Sequence, residues 1–83
     1  MWSLPKPGYD LETIRAVAVA YRRERQAGRL DGPAREAAIT AYSARHPETD
    51  RLSASASVAH IVAWAAREYA GWFWKGVRLP ERR

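Results

Sequence analysis

Glycine and proline breaks divide this 83-residue chain into three segments, and each segment carries apolar residues at helical spacing. Gly28 and Pro33 frame the first break, since glycine commonly ends a helix and proline suits the first turn of the next one. The second break is His46-Pro47, because the residue before a proline avoids helical backbone angles. A chain of this length buries only one core, so these signals predict a single all-α domain, a small three-helix bundle.

The same signals set the expected bounds of the elements. Pro5 and Pro7 exclude a regular helix near the start, which predicts an extended, proline-containing arm that packs back onto the domain. Asp10 is suited to cap the first helix. The predicted elements are an arm over 1–9, helices over about 10–27, 33–45 and 52–75, and a frayed tail over 78–83.

Apolar residues spaced i, i+3, i+4 and i+7 mark the face of each helix that we expect to be buried. In helix one these residues are Leu11, Ile14, Val17, Ala18 and Tyr21. In helix two they are Ala34, Ala38, Ala41 and Tyr42. The seam predicted for helix three consists of Val58, Ile61, Val62, Ala65, Tyr69, Trp72 and Phe73.

The formal net charge of +5 favours an anionic partner, which could be nucleic acid, a membrane surface or an acidic protein. Twelve of the fourteen basic residues are arginine and sixteen residues are alanine. Codon usage in a GC-rich genome produces both biases without any functional cause. The charge therefore indicates a class of partner without selecting one.

The absence of cysteine excludes a disulfide framework and a cysteine-based zinc site. The two histidines, His46 and His60, have no carboxylate at ligand spacing, so we expect neither a metal site nor a cofactor. The acidic residues include no pair placed for acid–base catalysis, and we expect no enzymatic activity. No apolar run is long enough to span a membrane and no signal peptide is evident, so the expected location is the cytoplasm.

Aromatic and basic residues follow helical spacing on the side of helix three opposite its seam. This helix-three stripe consists of His60, Trp64, Arg67, Trp74, Lys75 and Arg78. Tryptophan and arginine are enriched where protein partners dock, so the stripe predicts a partner-binding surface. A structural interpretation stays open, in which Trp64 lies in the core, Trp74 anchors the arm, and the cations reach past the rings to water.

Two further groups of cations lie at the end of helix one and at the end of the chain. They consist of Arg22, Arg23, Arg25 and Arg29, and of Arg82 and Arg83. These residues are candidates for contacts with nucleic-acid phosphates. The structural alternative is that the helix-one arginines complement the helix dipole. A helix-turn-helix is disfavoured, because the second helix would start Leu52-Ser53-Ala54-Ser55, without side chains for bidentate contacts to bases.

Together these features predict a non-enzymatic module that binds another macromolecule. The first hypothesis is a protein partner, or a second copy in a homodimer, bound by the helix-three stripe. The alternative is a nucleic-acid-binding domain that uses the arginine groups. This alternative requires the helix-one, helix-three and C-terminal cations to form one continuous positive face, whereas protein binding needs only an exposed helix-three stripe.

Overall fold

In a computed structural model, which describes residues 10–75, the chain forms three helices and one additional helical turn. The elements are α1 (Leu11–Gln26), α2 (Asp31–Arg45), α3 (Arg51–Glu68) and α4 (Ala70–Phe73). Strands are absent from this part of the chain, which confirms the predicted fold class, a small all-α bundle. The predicted arm over 1–9 and tail over 78–83 lie outside the described residues.

Local hydrogen bonds explain where the helices begin and end. Asp10 caps α1, because its carboxylate accepts from the Thr13 backbone N–H at 3.3 Å and from the Thr13 hydroxyl at 2.6 Å. Asp50 caps α3 by accepting from the Ser53 N–H at 3.1 Å. After α1 the chain turns at Gly28 with a φ of +93°, a backbone conformation that glycine adopts without steric cost.

The core lies where α1 and α2 pack closely together and α3 crosses onto both. Ala34 and Ala38 on α2 are completely buried, and their small side chains let the α1 backbone approach closely. The apolar core consists of Ile14, Val17, Ala18, Tyr21, Ala34, Ala38, Ile39, Tyr42, Ala54, Val58, Ile61, Val62, Trp64, Ala65 and Phe73. Most of the faces expected from helical spacing are therefore buried.

The predicted continuous third helix over about 52–75 is wrong at its C-terminal end. Tyr69 leaves the helical conformation with φ −129° and ψ 43°, and α4 follows as a single turn. Two features favour this break. Gly71 has a low helix propensity, and the break lets the fully buried Phe73 stack on Tyr21 of α1 with 5.6 Å between ring centres. As a result Trp72, predicted to lie in the seam, is 43% exposed.

No helix within residues 10–75 combines the length and the apolar character needed to cross a bilayer.

Candidate functional site

The structure does not present the helix-three stripe as one exposed surface. Trp64 is only 5% exposed and packs edge-on against Tyr69, with 5.6 Å between ring centres. The prediction that Trp64 lies on an exposed partner-binding face is therefore wrong. Trp64 lies in the core, as the structural interpretation expects. The physical reason is that Trp64 follows Ile61 by three residues, so it lies at the edge of the buried arc of α3, where Tyr69 packs against it.

The other members of the stripe are separated by the break at Tyr69. His60 and Arg67 lie exposed on α3, whereas Trp74 and Lys75 follow α4. Trp74 is half-buried, and its ring meets Phe73 edge-on with 4.9 Å between ring centres. Arg78, like Arg82 and Arg83 of the C-terminal group, falls beyond the described residues.

The break at Tyr69 brings the end of the described chain onto the arginine group of α1. Arg22 donates from Nε to the Trp72 carbonyl oxygen at 2.9 Å and from Nη2 to the Lys75 carbonyl oxygen at 3.4 Å. Gln26 donates to the same Lys75 oxygen at 2.9 Å. The Arg22 guanidinium also lies over the Trp72 ring, 4.7 Å from its centre, within the range of a cation–π contact.

Arg25 is held in place by a buried tyrosine. The Tyr21 hydroxyl donates to Asp31 Oδ1 at 2.5 Å and accepts from Arg25 Nη1 at 2.9 Å. Burial and the hydrogen bond to Asp31 raise the pKa of Tyr21, while the Tyr21 hydroxyl and Arg35 lower the pKa of Asp31. The guanidinium carbon of Arg25 lies 5.8 Å from the centre of the Trp74 ring. The network therefore fixes Arg25 between the core and α4.

The end of α1, the turn that follows it and the end of the described chain carry a group of cations, which we call the basic face. The contacts above join two of them, Arg22 and Arg25, to the region of α4. The basic face consists of Arg22, Arg23, Arg25, Arg29 and Lys75. Arg29 is paired with Glu24 at 2.9 Å. Across residues 10–75, no carboxylate forms an ion pair with the other four members. Arg22 contacts neutral carbonyls and a ring, so its charge is not compensated there. Arg25 contacts a hydroxyl and rings, and its charge also acts on the nearby carboxylate of Asp31.

Four arginines outside the basic face form ion pairs with carboxylates, which compensate their positive charges. The pairs are Arg35 with Asp31 at 2.7 Å, Arg45 with Glu12 at 3.5 Å, Arg51 with Glu36 at 2.6 Å, and Arg67 with Glu68 at 4.0 Å. The excess positive charge of the described chain is consequently concentrated on the basic face.

The opposite end of the α1–α2 hairpin is acidic and centres on His46. The His46 ring lies 3.7 Å from carboxylate oxygens of both Asp10 and Glu48. Its Nε2 is 3.1 Å from the Thr13 hydroxyl oxygen, and the ring packs on Tyr42 with 4.9 Å between ring centres. His46 thus connects the start of α1 to the end of α2, which is a structural role.

An apolar pocket of about 290 Å³ adjoins the basic face. Its lining includes Arg15, Val19, Tyr69 and Trp72. The sequence patterns do not indicate this pocket, because they predict Tyr69 and Trp72 in the seam of one helix that continues past Tyr69. One signal was present: Arg15, Val19 and Arg22 follow i, i+4, i+7 spacing on α1, outside its buried stripe.

Residues 10–75 contain no cluster of three or more His, Cys, Asp or Glu side chains that could hold a metal ion. Comparison of the chain with models of protein families, with curated proteins and with solved structures gave no match.

Proposed function

We propose that this protein is a non-enzymatic nucleic-acid-binding module that contacts phosphates with its basic face. The observation that supports this proposal is the juxtaposition of the helix-one arginines with Lys75, with uncompensated charge and an exposed tryptophan beside them. Clustered cations of this kind are typical of nucleic-acid-binding surfaces. The alternative hypothesis is adopted in a reduced form, in which only the helix-one cations and Lys75 contact phosphates. Arg67 lies on α3 beside Glu68, Arg78, Arg82 and Arg83 lie outside the described residues, and the burial of Trp64 disfavours the first hypothesis.

The arginines of the basic face retain donors for phosphate oxygens. A guanidinium has five N–H donors, and Arg22 uses one from Nε and one from Nη2 for the carbonyls of Trp72 and Lys75. These contacts fix the orientation of the guanidinium and leave three N–H groups. A preorganised arginine loses little side-chain entropy on binding an anion. The acidic groups around His46 would keep the other end of the hairpin away from a polyanion.

Removing two positive charges from the basic face tests the proposal. Arg23 and Lys75 are exposed, so the double variant Arg23→Gln/Lys75→Gln removes two charges with little effect on packing. We expect it to bind a fluorescently labelled oligonucleotide about 25- to 60-fold more weakly at 0.1 M salt, since each of the two lost phosphate contacts costs roughly fivefold to eightfold there. Fluorescence anisotropy measures the change.

The matched control is Arg45→Gln/Arg51→Gln, which lowers the net charge by the same amount at sites that are paired with Glu12 and Glu36. We expect this control to bind within about twofold of the wild type, because nearby carboxylates already compensate both charges. Equal weakening by the two double variants would mean that only net charge matters, and would contradict a defined basic face.

A protein partner is the second candidate function. The features that favour it are Trp72 and Arg22 at an exposed surface, both residue types that are common in protein interfaces. This candidate includes a homodimer, which would show as a concentration-dependent mass in sedimentation velocity. Capture of a protein with an affinity that changes little between 0.05 and about 0.3 M salt would favour it over nucleic acid. Cytoplasmic location stays a prediction from the sequence.

A further inference from the structure

We infer that the pocket beside the basic face receives an unpaired base, so that the protein prefers single-stranded over duplex nucleic acid. This inference rests on the proposed function and adds the class of nucleic acid that is bound. Two features of the same surface favour this occupant: an aromatic pocket that suits a flat apolar group, and cations beside it that suit the attached phosphates.

The pocket has the size and lining that one base needs. Its volume of about 290 Å³ is at the lower end of the range of small-molecule sites, about 300–1,000 Å³. Tyr69 and Trp72 supply aromatic rings, and Val19 supplies an apolar wall. Bases stack on such rings with little dependence on sequence, because every base has a π-face.

Cations lie beside the pocket where the neighbouring phosphates would be. The Arg22 guanidinium lies 4.7 Å from the centre of the Trp72 ring, so a base on the pocket side of Trp72 would hold its phosphates close to a fixed positive charge. Arg15 is part of the pocket lining, and Lys75 follows Trp72 by three residues. This combination of stacking rings and flanking cations is typical of single-strand binding.

A duplex cannot use the pocket in the same way. Its bases are stacked on their neighbours, and exposing one requires unstacking and unpairing at a cost in free energy. Within the described residues, the exposed positions of α3 also offer few side chains for base edges. Its first half exposes Arg51, Leu52, Ser53, Ala56 and His60. The geometry therefore favours a strand whose bases are already free.

Three labelled probes of equal phosphate number test the inference: a mixed-sequence 10-nucleotide single strand, the same backbone with abasic sites throughout, and a hairpin duplex. We expect the single strand to bind about 5- to 150-fold more tightly than the abasic strand, which is the range for one stacked base. Trp72→Leu should remove most of this difference, and Trp72→Phe should preserve much of it. Intrinsic tryptophan fluorescence should fall only with probes that contain bases.

The outcomes separate this inference from the proposed function. If the abasic strand or the duplex binds as tightly as the single strand, or if Trp72→Leu leaves the preference for bases unchanged, base insertion is overturned while phosphate binding by the basic face stands. If none of the probes binds at 0.05 M salt, the proposed function and the inference both fall. Thermal unfolding of each Trp72 variant, expected near the wild-type midpoint, verifies that the fold is retained.

Discussion

Among single residues, Tyr21 has the most consequences for the candidate site. Its ring is buried in the core and stacks on Phe73, while its hydroxyl joins Asp31 and Arg25. One side chain therefore holds α4 against α1 and also sets the position of a cation on the basic face. Arg22 has a similar double role through the Trp72 and Lys75 carbonyls. Individual arginines here are both structural and available for binding.

Replacing Tyr21 by phenylalanine tests the hydroxyl alone. We expect Tyr21→Phe to lower the free energy of unfolding by about 1 kcal/mol, because a hydrogen bond to a charged group is lost but water can reach the half-exposed Asp31 in its place. Urea denaturation at pH 7 measures the change. An unchanged stability would show that the bond to Asp31 contributes nothing net.

The pKa of Asp31 gives a prediction for acid pH. Since the folded-state pKa of Asp31 lies below its ordinary value of 3.8, the stabilisation is present above pH 3.8 and is lost as pH falls through the folded-state pKa. We expect Asp31→Asn to be less stable than the wild type at pH 7, with the two stabilities converging as the pH falls through the folded-state pKa of Asp31. Asp10 and Asp50, whose pKa values are also lowered, are common to both proteins. A stability difference that does not vary with pH would contradict this assignment.

At the scale of secondary-structure elements, the decisive feature is the interruption between α3 and α4. The apolar periodicity over 52–75 predicts one helix. The pattern shows which residues are apolar, but it does not show which residues elsewhere in the chain they contact. Gly71 was visible in the sequence, yet a single glycine is compatible with a continuous helix. The break depends on the pairing of Phe73 with Tyr21, residues 52 positions apart, and such a tertiary contact cannot be read from local spacing.

Phe73 tests whether this packing holds α4 in place. We expect Phe73→Ala to lower the free energy of unfolding by about 3–5 kcal/mol, because the side chain is completely buried and its removal leaves a cavity. The neighbouring Trp72→Ala is expected to cost less than about 1.5 kcal/mol, since Trp72 is 43% exposed. Similar losses for the two variants in urea denaturation would contradict the described packing of α4.

For the whole molecule, the sequence predicted the fold better than the surface. The breaks at Gly28–Pro33 and at His46-Pro47 lie between helices as expected, because glycine and proline act on the local backbone. The grouping of the cations depends instead on tertiary structure, because α4 packs against α1. This packing places Lys75 beside Arg22 and leaves uncompensated charge at one end of the α1–α2 hairpin, opposite the acidic groups around His46.

The most direct test of the central claim is the salt dependence of wild-type binding to a single-stranded oligonucleotide, measured by anisotropy from 0.05 to about 0.4 M salt. Counterion release contributes a slope of about −0.7 per phosphate contact in a plot of log K against log salt. With three to four cations of the basic face engaged, the predicted slope is about −2 to −3. A slope near zero, or no binding at the lowest salt concentration, would contradict the assignment of the basic face as a nucleic-acid interface.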